Sequence, residues 1–387
     1  MTEEKVGKNM EENKEKILVL SCGTGGGHNS AGKAIAEAFQ KRGIWCDFKE
    51  YLDIINPKVK NCVNRLYIRS TTGKGKIFKV TYHLGELYQR TKIKSPVYGL
   101  NSLSRRKLQQ YIVENHYQYV ITTHLFAAQA LTTIKRKYPI HFLAVATDYV
   151  SIPFWEETNP DYFVIPNEEL KESFCKRGIP EEKLLPFGIP VSLQVREKID
   201  VKKQKEELGL APEKRHILVA TGSMGFGKNE EMVQGLLTHK KPEDILIVAC
   251  GSNEKMKQEL EAKFAGRKDF VLLSYTNELI RYMQIADVIL TKPGGLTTTE
   301  VAAMRKPLVH TMPIPGCENF NAEYFAQKGM SLKSENAEEV WQNTIRLLED
   351  KDLQEKMLEN QRKVINPQAS EKIVDFVQKE IKEFELA

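Results

Sequence analysis

The sequence predicts an α/β protein built from two Rossmann-like, doubly wound domains that face each other across a cleft. An apolar run at 16–21 leads into a glycine-rich turn and a helical stretch, and the same pattern begins again at 216–220. Between these repeats, the glycine- and proline-rich stretch 186–191 is typical of a bend between domains. The length of 387 residues also favours two domains. We therefore expect a parallel sheet in each half, with ligands bound at the carboxyl ends of its strands.

The first half begins with a strand at 16–21, a glycine turn and an amphipathic helix from about 29 to 41. Gly27, Gly32 and Lys33 have the spacing of a phosphate-binding Walker A loop. That loop needs Ser or Thr at the next position to hold magnesium, and here the residue is Ala34. The pattern therefore disfavours an NTPase.

His28 follows the glycine turn directly. A lone histidine is more often structural than functional, but this position faces the ligand crevice at the carboxyl end of the first strand. Histidine can bind a hydroxyl group or exchange a proton with it near neutral pH. We therefore expect His28 to act on a substrate hydroxyl.

Further strands are predicted at 45–51, 119–123, 142–147 and 161–165, and a helix is predicted at 167–177. The strand at 142–147 ends at Asp148, again at the edge where open α/β sheets bind ligands. Asp148 is a second candidate for a general base. The alternative is that it only caps a helix or a loop.

The second half repeats the order of elements, with a glycine loop at 221–229 and strands at 245–250, 270–273 and 286–290. Lys292-Pro293-Gly294-Gly295 cannot continue the last strand, because proline lacks the ladder donor and the glycines favour a tight loop. We expect a helix over 297–304, capped by Thr297 or Thr298. Free N–H groups and the helix dipole then form an anion site.

Glu300 falls in the first turn of that predicted helix. A carboxylate there does not favour phosphate, but it can accept hydrogen bonds from the two hydroxyls of a sugar diol. A rigid loop at 313–316 then presents Glu318, Asn319 and Asn321, whose carboxylate and amide groups suit sugar hydroxyls. The two clusters together indicate a nucleotide or a nucleotide sugar, whereas the turn alone would equally fit an ordinary strand-to-helix connection.

Composition excludes several classes of protein. Hydrophobic residues make up 41% and charged residues 28%, and no run approaches the roughly 18–20 apolar residues of a membrane span. Residues 1–15 are charged, which favours a frayed tail over a signal peptide. The six cysteines are scattered without a CxxC pair, which fits reduced thiols in a cytoplasm and no metal site.

One segment is strongly basic. Between 58 and 110 there are 13 Lys or Arg and one acid, so this segment carries +12 and the remaining chain −6 of the total +6. Aromatic and aliphatic residues lie between the basic ones, as in an interfacial amphipathic element. The same composition could bind nucleic acid or form a solvated helix pair.

The two motifs of the second half resemble glycosyltransferase family 28, in its diacylglycerol glycosyltransferase branch. These motifs are T-K-P-G-G-L-T-T-T-E and P-x-P-G-x-E-x-x-N-A. Gly25-Gly26-Gly27-His28, Thr147-Asp148 with Trp155, and Gly188-Ile189-Pro190 extend the resemblance over most of 16–380. A more distant resemblance is to the transferase that adds N-acetylglucosamine to a lipid-linked cell-wall precursor.

The resemblance implies a GT-B architecture with a tail at 1–15, an acceptor domain at 16–188, a UDP-sugar domain at 189–366 and a returning helix at 367–387. It implies His28 or Asp148 as the base, with Gly25, Gly26 and Gly27 lining the acceptor side. The implied donor site consists of Gly222, Ser223, Gly225, Tyr275, Lys292, Gly294, Gly295, Thr297, Glu300, Glu318, Asn319 and Asn321. The implied membrane-facing residues are Lys74, Lys76, Phe78, Lys79, Arg90, Lys92 and Lys94.

The implied reaction is an inverting hexose transfer from UDP-glucose or UDP-galactose to diacylglycerol or a glycosyl-diacylglycerol. We expect this reaction to need no cofactor and no metal. We expect it to take place on the inner face of the cell membrane, beside anionic lipids. The chain lacks the family's histidine between Asp148 and Trp155, and Cys317 stands where relatives carry Gln. The acceptor and the hexose therefore stay open. The alternatives are an N-acetylglucosamine transferase acting on a polyprenyl-linked precursor, a nucleotide-sugar epimerase with a bound dinucleotide, and a nucleic-acid-binding module, although we expect no nucleic acid.

Overall fold

The computed structural model describes residues 15–23, 26–55, 94–221, 229–313 and 316–386. Within these ranges the chain forms two parallel sheets of six strands, each flanked by helices. The predicted pair of doubly wound domains is confirmed.

The first sheet has the strand order β2-β1-β3-β4-β5-β6. Its strands are β1 (Lys16–Ser21), β2 (Trp45–Glu50), β3 (Tyr119–Thr122), β4 (Phe142–Val145), β5 (Tyr162–Val164) and β6 (Leu184–Leu185). The helices of this half are α1 (Gly26–Lys41), α2 (Tyr51–Ile55), α3 (Pro96–Leu103), α4 (Arg105–Glu114), α5 (Leu125–Lys135) and α6 (Lys171–Cys175). Short 3-10 turns lie at Trp155–Glu157, Glu168–Leu170, Glu181–Lys183 and Leu193–Arg196.

The second sheet has the strand order β12-β11-β10-β7-β8-β9. Its strands are β7 (His216–Val219), β8 (Ile245–Ala249), β9 (Phe270–Leu273), β10 (Val288–Thr291), β11 (Leu308–His310) and β12 (Leu332–Lys333). The helices are α7 (Val201–Glu207), α8 (Asn229–His239), α9 (Glu254–Phe264), α10 (Leu279–Ile285), α11 (Gly295–Ala303), α12 (Cys317–Gln327), α13 (Ala337–Glu349), α14 (Lys351–Val364) and α15 (Ala369–Leu386).

The first sheet is covered on both faces, which explains why β1 is a continuous apolar run. Successive side chains of a strand point to opposite faces. Ile17 and Val19 accordingly pack in one hydrophobic cluster, with α1 and α15, and Leu18 and Leu20 in another, with α4 and α5. The last helix, α15, therefore packs on the first sheet although it follows the second one along the chain.

The crossing between the halves depends on a glycine. Gly188 has a φ of 110°, and a Cβ at this position would lie 3.1 Å from the Cβ of Ala369. Asn366 donates a hydrogen bond to the carbonyl of Phe187 at 2.6 Å. The linker and the start of α15 therefore pack closely at the point where the chain returns.

Each sheet has a switch point, where the strand order reverses. β1 lies between β2 and β3, and β7 lies between β8 and β10. The chain leaves β1 toward α1, and it leaves β10 toward α11. Both turns are at the carboxyl edge of a switch point, which is where open α/β sheets bind ligands.

Two helix starts differ from the prediction. α1 begins at Gly26 and α11 at Gly295, because the glycines that were expected to form loops adopt helical geometry. Gly294, with extended dihedrals, is the N-cap of α11, so the expected threonine cap is wrong. Glu300 is the sixth residue of α11 and lies in its second turn, not its first.

Candidate active site

The two switch points approach each other closely. A Cβ built on Gly295 would lie 1.8 Å from the carbonyl oxygen of Thr147 and 3.2 Å from the Cα of Asp148. A Cβ on Gly27 would lie 3.5 Å from the Cβ of Leu296. The first turns of α1 and α11 therefore meet across the domain boundary, and the contact at 295 has room only for glycine.

His28 lies in the first turn of α1 and is oriented by two threonines. Its Nδ1 is 2.9 Å from the carbonyl oxygen of Thr123 and 3.0 Å from Oγ1 of Thr147. A carbonyl can only accept a hydrogen bond, so Nδ1 carries the proton and Nε2 has the lone pair. Burial lowers the pKa of His28, while Asp148 and the bond to Thr123 raise it in part. The imidazole is therefore neutral near pH 7 and can accept a proton at Nε2.

A second histidine stands beside the first. The ring centroids of His28 and His124 are 4.7 Å apart and the ring planes meet at 83°. His124 is the N-cap of α5, where its Nδ1 accepts a hydrogen bond from the N–H of Phe126 at 3.2 Å. Burial, reinforced by His28, lowers the pKa of His124 well below its ordinary value. Two neutral imidazoles thus share the edge of the first sheet.

At the facing edge of the second sheet lies the N-terminus of α11, with charged side chains around it. Lys292, directly after β10, forms an ion pair with Glu318 on α12. Thr297 is half-buried in the first turn of α11. This arrangement offers main-chain N–H groups, a hydroxyl and a cation to an anionic ligand.

Glu300 lies deeper on α11 and is 9% exposed. Burial raises the pKa of its carboxyl from 4.5 to about 7. Among the described residues, no side chain forms a hydrogen bond or an ion pair with this carboxylate. Since an unpaired buried carboxylate is costly, a ligand that donates hydroxyl groups to Glu300 would be favoured.

Asp148 and Asn321 connect the two domains directly. Nδ2 of Asn321 donates to Oδ1 of Asp148 at 2.8 Å and to the carbonyl of Pro293 at 3.1 Å. Oδ1 of Asn321 accepts from the N–H of Tyr149 at 2.8 Å. Asn321 was predicted to read the hexose, and in this structure its amide lies between the domains.

The remaining predicted residues fall in several places. Gly26 and Gly27 open α1, Asn319 is exposed on α12, and Tyr275 follows β9 with 68% of its surface exposed. Lys94 donates to the carbonyl of Glu157 at 2.8 Å and lies over the ring of Tyr98. The predictions that lie outside the described residues are those for the tail at 1–14, Gly25, Lys74, Lys76, Phe78, Lys79, Arg90, Lys92, Gly222, Ser223 and Gly225.

The predicted site did not include Thr123, Thr147, His124 or Tyr149, although the sequence places His124 at the end of a strand where ligands bind and Thr147 in the motif with Asp148. Three of them are polar and follow buried strands, which is the signal that could have found them. In the part of the chain that the structure describes, no three His, Cys, Asp or Glu side chains gather where they could hold a metal ion. None of the described helices has the length and apolar character needed to cross a bilayer.

Comparisons with known proteins agree with this architecture. Residues 28–191 match the family model for monogalactosyldiacylglycerol (MGDG) synthase, and residues 201–364 match the model for glycosyl transferases group 1. Over 371 residues, the chain is 27% identical to the processive diacylglycerol beta-glucosyltransferase of Bacillus mycoides (strain KBAB4). That match covers 94% of this chain and 93% of the relative. It confirms the resemblance to the diacylglycerol glycosyltransferases of family 28.

Solved structures show the same fold. MurG from Acinetobacter baumannii superposes with a TM-score of 0.60 at 16% identity, over 94% of this chain and 99% of that one. UDP-GlcNAc 2-epimerase from Neisseria meningitidis, bound to UDP-GlcNAc, superposes with a TM-score of 0.61 at 17% identity. That match covers 94% of this chain and 100% of the epimerase chain. At these identities the likeness establishes the GT-B architecture alone.

Proposed function

We propose that this chain transfers a hexose from a UDP-sugar to a lipid. The premise is that it is a GT-B glycosyltransferase similar to the diacylglycerol glycosyltransferases. The donor is UDP-glucose or UDP-galactose, and the acceptor is diacylglycerol or a glycosyl-diacylglycerol. One observation carries the proposal. A neutral histidine and an aspartate at the edge of the first sheet face a helix N-terminus and the buried carboxyl of Glu300, which has no side-chain partner among the described residues, at the edge of the second.

The second domain would hold the donor. The N–H groups at the start of α11 and Lys292 bind the diphosphate, and Thr297 adds a hydroxyl. Glu300 accepts hydrogen bonds from the two ribose hydroxyls. Glu318 and Asn319, at the start of α12, face the hexose. These groups stabilise the negative charge that develops on the leaving diphosphate, so the proposed reaction needs no metal ion.

The first domain would supply the base. The acceptor hydroxyl gives its proton to Nε2 of His28, or to the carboxylate of Asp148, as its oxygen attacks the anomeric carbon. A carbon–oxygen bond to the lipid forms, the bond from the anomeric carbon to the diphosphate breaks, and UDP leaves with the electron pair. Attack in line with the leaving group inverts the configuration at that carbon.

A surface on α3 and α4 supports docking on a membrane. Leu100 and Leu103 are 69% and 79% exposed, three residues apart on α3. Arg105, Arg106 and Lys107 follow at the start of α4. Near an anionic bilayer each basic residue contributes about 1 kcal/mol, and exposed leucines insert at the interface. We propose that the protein works on the cytoplasmic face of the membrane, where diacylglycerol is reached.

Identification of the lipid product tests the proposal. The protein is incubated with anionic liposomes that contain diacylglycerol, together with UDP-glucose, UDP-galactose or UDP-N-acetylglucosamine, and the lipids are analysed by mass spectrometry. We expect a hexosyl-diacylglycerol from one UDP-hexose. Absence of lipid product with both hexoses would contradict the proposal, and transfer of N-acetylglucosamine to a polyprenyl-linked acceptor in a parallel reaction would support the alternative.

A second arm addresses the basic segment. The protein is sedimented with anionic liposomes or incubated with duplex DNA at several salt concentrations. We expect salt-sensitive sedimentation with liposomes. Strong DNA binding without liposome binding would instead favour a nucleic-acid-binding module.

A further inference from the structure

Asn321 is fully buried and forms three hydrogen bonds, two of them across the domain boundary. The orientation of its amide is fixed by its partners. The N–H of Tyr149 can only donate, so it requires the oxygen of the amide. The carboxylate of Asp148 and the carbonyl of Pro293 can only accept, so they require the nitrogen. All three partners therefore agree on one orientation of the side chain.

Tyr149 strengthens the same contact. It follows β4 of the first sheet, yet it is 3% exposed and packs in the hydrophobic cluster of the second domain. Its hydroxyl is 2.8 Å from Oγ1 of Thr299, and its ring stacks on Tyr324 at 5.1 Å with an angle of 16°. We call the contact formed by Asp148, Tyr149 and Asn321 the interdomain junction.

At the junction, Asn321 of the donor domain holds the side chain of Asp148, a candidate base of the acceptor domain. Separation of the domains breaks the bonds from Asn321 to Asp148 and Tyr149 together. The bond to Pro293, in the turn after β10, keeps Asn321 in register with the donor turn. Asp148 is therefore held at a defined position relative to the N-terminus of α11 only while the junction is intact.

We propose that Asn321 is a positioning residue that aligns Asp148 with the bound donor and keeps the two domains in their reactive arrangement. The positioning role rests on the proposed function, because it assumes that Asp148 acts on the acceptor. It also changes what is expected of Asn321, which the sequence assigned to the hexose. A residue that reads the hexose changes donor affinity, whereas a positioning residue changes turnover.

Asn321→Ala separates the two roles by kinetics and calorimetry. We expect kcat to fall on the order of 10²-fold, because a displacement of about 1 Å at a reacting group has that effect. The dissociation constants of UDP and of the UDP-hexose should both stay within about twofold of wild type. A UDP-hexose that binds about tenfold more weakly while UDP binds normally would overturn the proposal, as would an unchanged kcat. Gln327→Ala, an exposed change on the same helix, is the matched control and should leave kcat unchanged.

The thiol of Cys317 gives a readout that does not depend on activity. Cys317 is half-buried at the start of α12, and burial, together with the charges of Asp148 and Glu318, raises the pKa of its thiol. Asn321→Asp places a carboxylate against Asp148 and the carbonyl of Pro293, which repel it. In a junction that stayed closed, the added negative charge would slow alkylation of the thiol. In a junction that opens, the thiol becomes accessible and alkylation accelerates.

The experiment follows iodoacetamide labelling of Cys317 by peptide mass spectrometry in wild type, Asn321→Asp and Asn321→Ala. We expect labelling about fivefold or more faster in Asn321→Asp, with a smaller increase in Asn321→Ala. Equal or slower labelling in Asn321→Asp would overturn the proposal. If Asn321→Asp does not fold, the labelling rate of Asn321→Ala decides. A wild-type protein without transferase activity would contradict the proposed function, and the thiol measurement would still test the junction.

Discussion

The two switch points have the same topology and different chemistry. At the first, β1 leads into α1, and the side chains that meet there are the half-buried imidazole of His28, the buried imidazole of His124 and two threonines. At the second, β10 leads into α11, and the groups are main-chain N–H donors, the Lys292–Glu318 ion pair and Glu300. The two edges have the same place in the fold, and the residues after each strand give the first edge proton acceptors and the second edge hydrogen-bond donors and a cation.

Burial shifts the pKa values of the titratable groups at the two edges in opposite directions. It lowers the pKa of a base and raises the pKa of an acid, because it disfavours the charged form of each. His28 is therefore neutral near pH 7, and Glu300, with a pKa of about 7, is partly protonated there.

The largest effect is expected at the first edge. His28→Ala should lower kcat by about 10²–10⁴-fold, the range of general-base catalysis, and should leave UDP affinity unchanged. Steady-state kinetics and calorimetry measure the two quantities. His239→Ala, an exposed histidine on α8, is the control. Full activity in His28→Ala would remove this residue from the mechanism and leave Asp148 as the base.

At the second edge, Glu300→Gln should change how stability depends on pH. A carboxyl whose folded pKa is about 7 and whose unfolded pKa is about 4.5 binds more protons in the folded state, so the free energy of unfolding falls as pH rises between these values. The total is about 3 kcal/mol. Urea unfolding should therefore show Glu300→Gln close to wild type at pH 4.5 and about 3 kcal/mol more stable at pH 8. If the difference in unfolding free energy between Glu300→Gln and wild type did not vary with pH, the raised pKa of Glu300 would be contradicted.

Glu300→Ala should weaken UDP binding by about 1.5–3 kcal/mol, the cost of a hydrogen bond to a charged group. Calorimetry with UDP and with a 2′-deoxy analogue measures it. Wild type should bind UDP more tightly than the analogue, and the variant should bind both alike. Equal affinity of wild type and variant for UDP would show that the ribose lies elsewhere.

The contact between the edges gives the smallest effect. Gly295→Ala gains helix propensity but places its Cβ against Thr147, so we expect a net loss of about 1–3 kcal/mol, seen as a lower melting temperature. At Gly294 the nearest atom to a built Cβ is Nζ of Lys292 at 3.7 Å. Gly294→Ala meets no steric obstacle but is a poorer N-cap, so it should cost less, about 0.5–1 kcal/mol. Equal melting temperatures for the two variants would mean that the domains do not touch at 295 in solution.

Much of the fold could be predicted from periodicity and turn residues. β1 and β9 were predicted with both ends correct, because each is a short apolar run bounded by polar residues or turns. The edge strands Leu184–Leu185 and Leu332–Lys333 were missed, since two residues show no periodicity. The glycines of the two helix starts were read as loops, because sequence alone does not reveal that glycine adopts helical dihedrals there.

Part of the site could also be predicted, because some of its residues directly follow a strand. His28 and Asp148 could be placed at the edge of the first sheet because each follows a strand, and their roles stay predictions. The bonds that orient His28 come from Thr123 and Thr147, 95 and 119 residues away. Asn321 and Asp148 are separated by 173 residues and lie in different domains. Such contacts depend on how two sheets are placed against each other, which no local pattern contains.

The central claim is that the edge of the second sheet holds the nucleotide while the edge of the first handles the proton. A crystal structure of the protein with UDP tests this most directly. We expect the diphosphate at the N–H groups that open α11 and the ribose hydroxyls within about 3.2 Å of the Glu300 carboxylate. UDP bound beside His28 at the first edge, or a Glu300 carboxylate turned into packed core away from the ribose, would contradict the account.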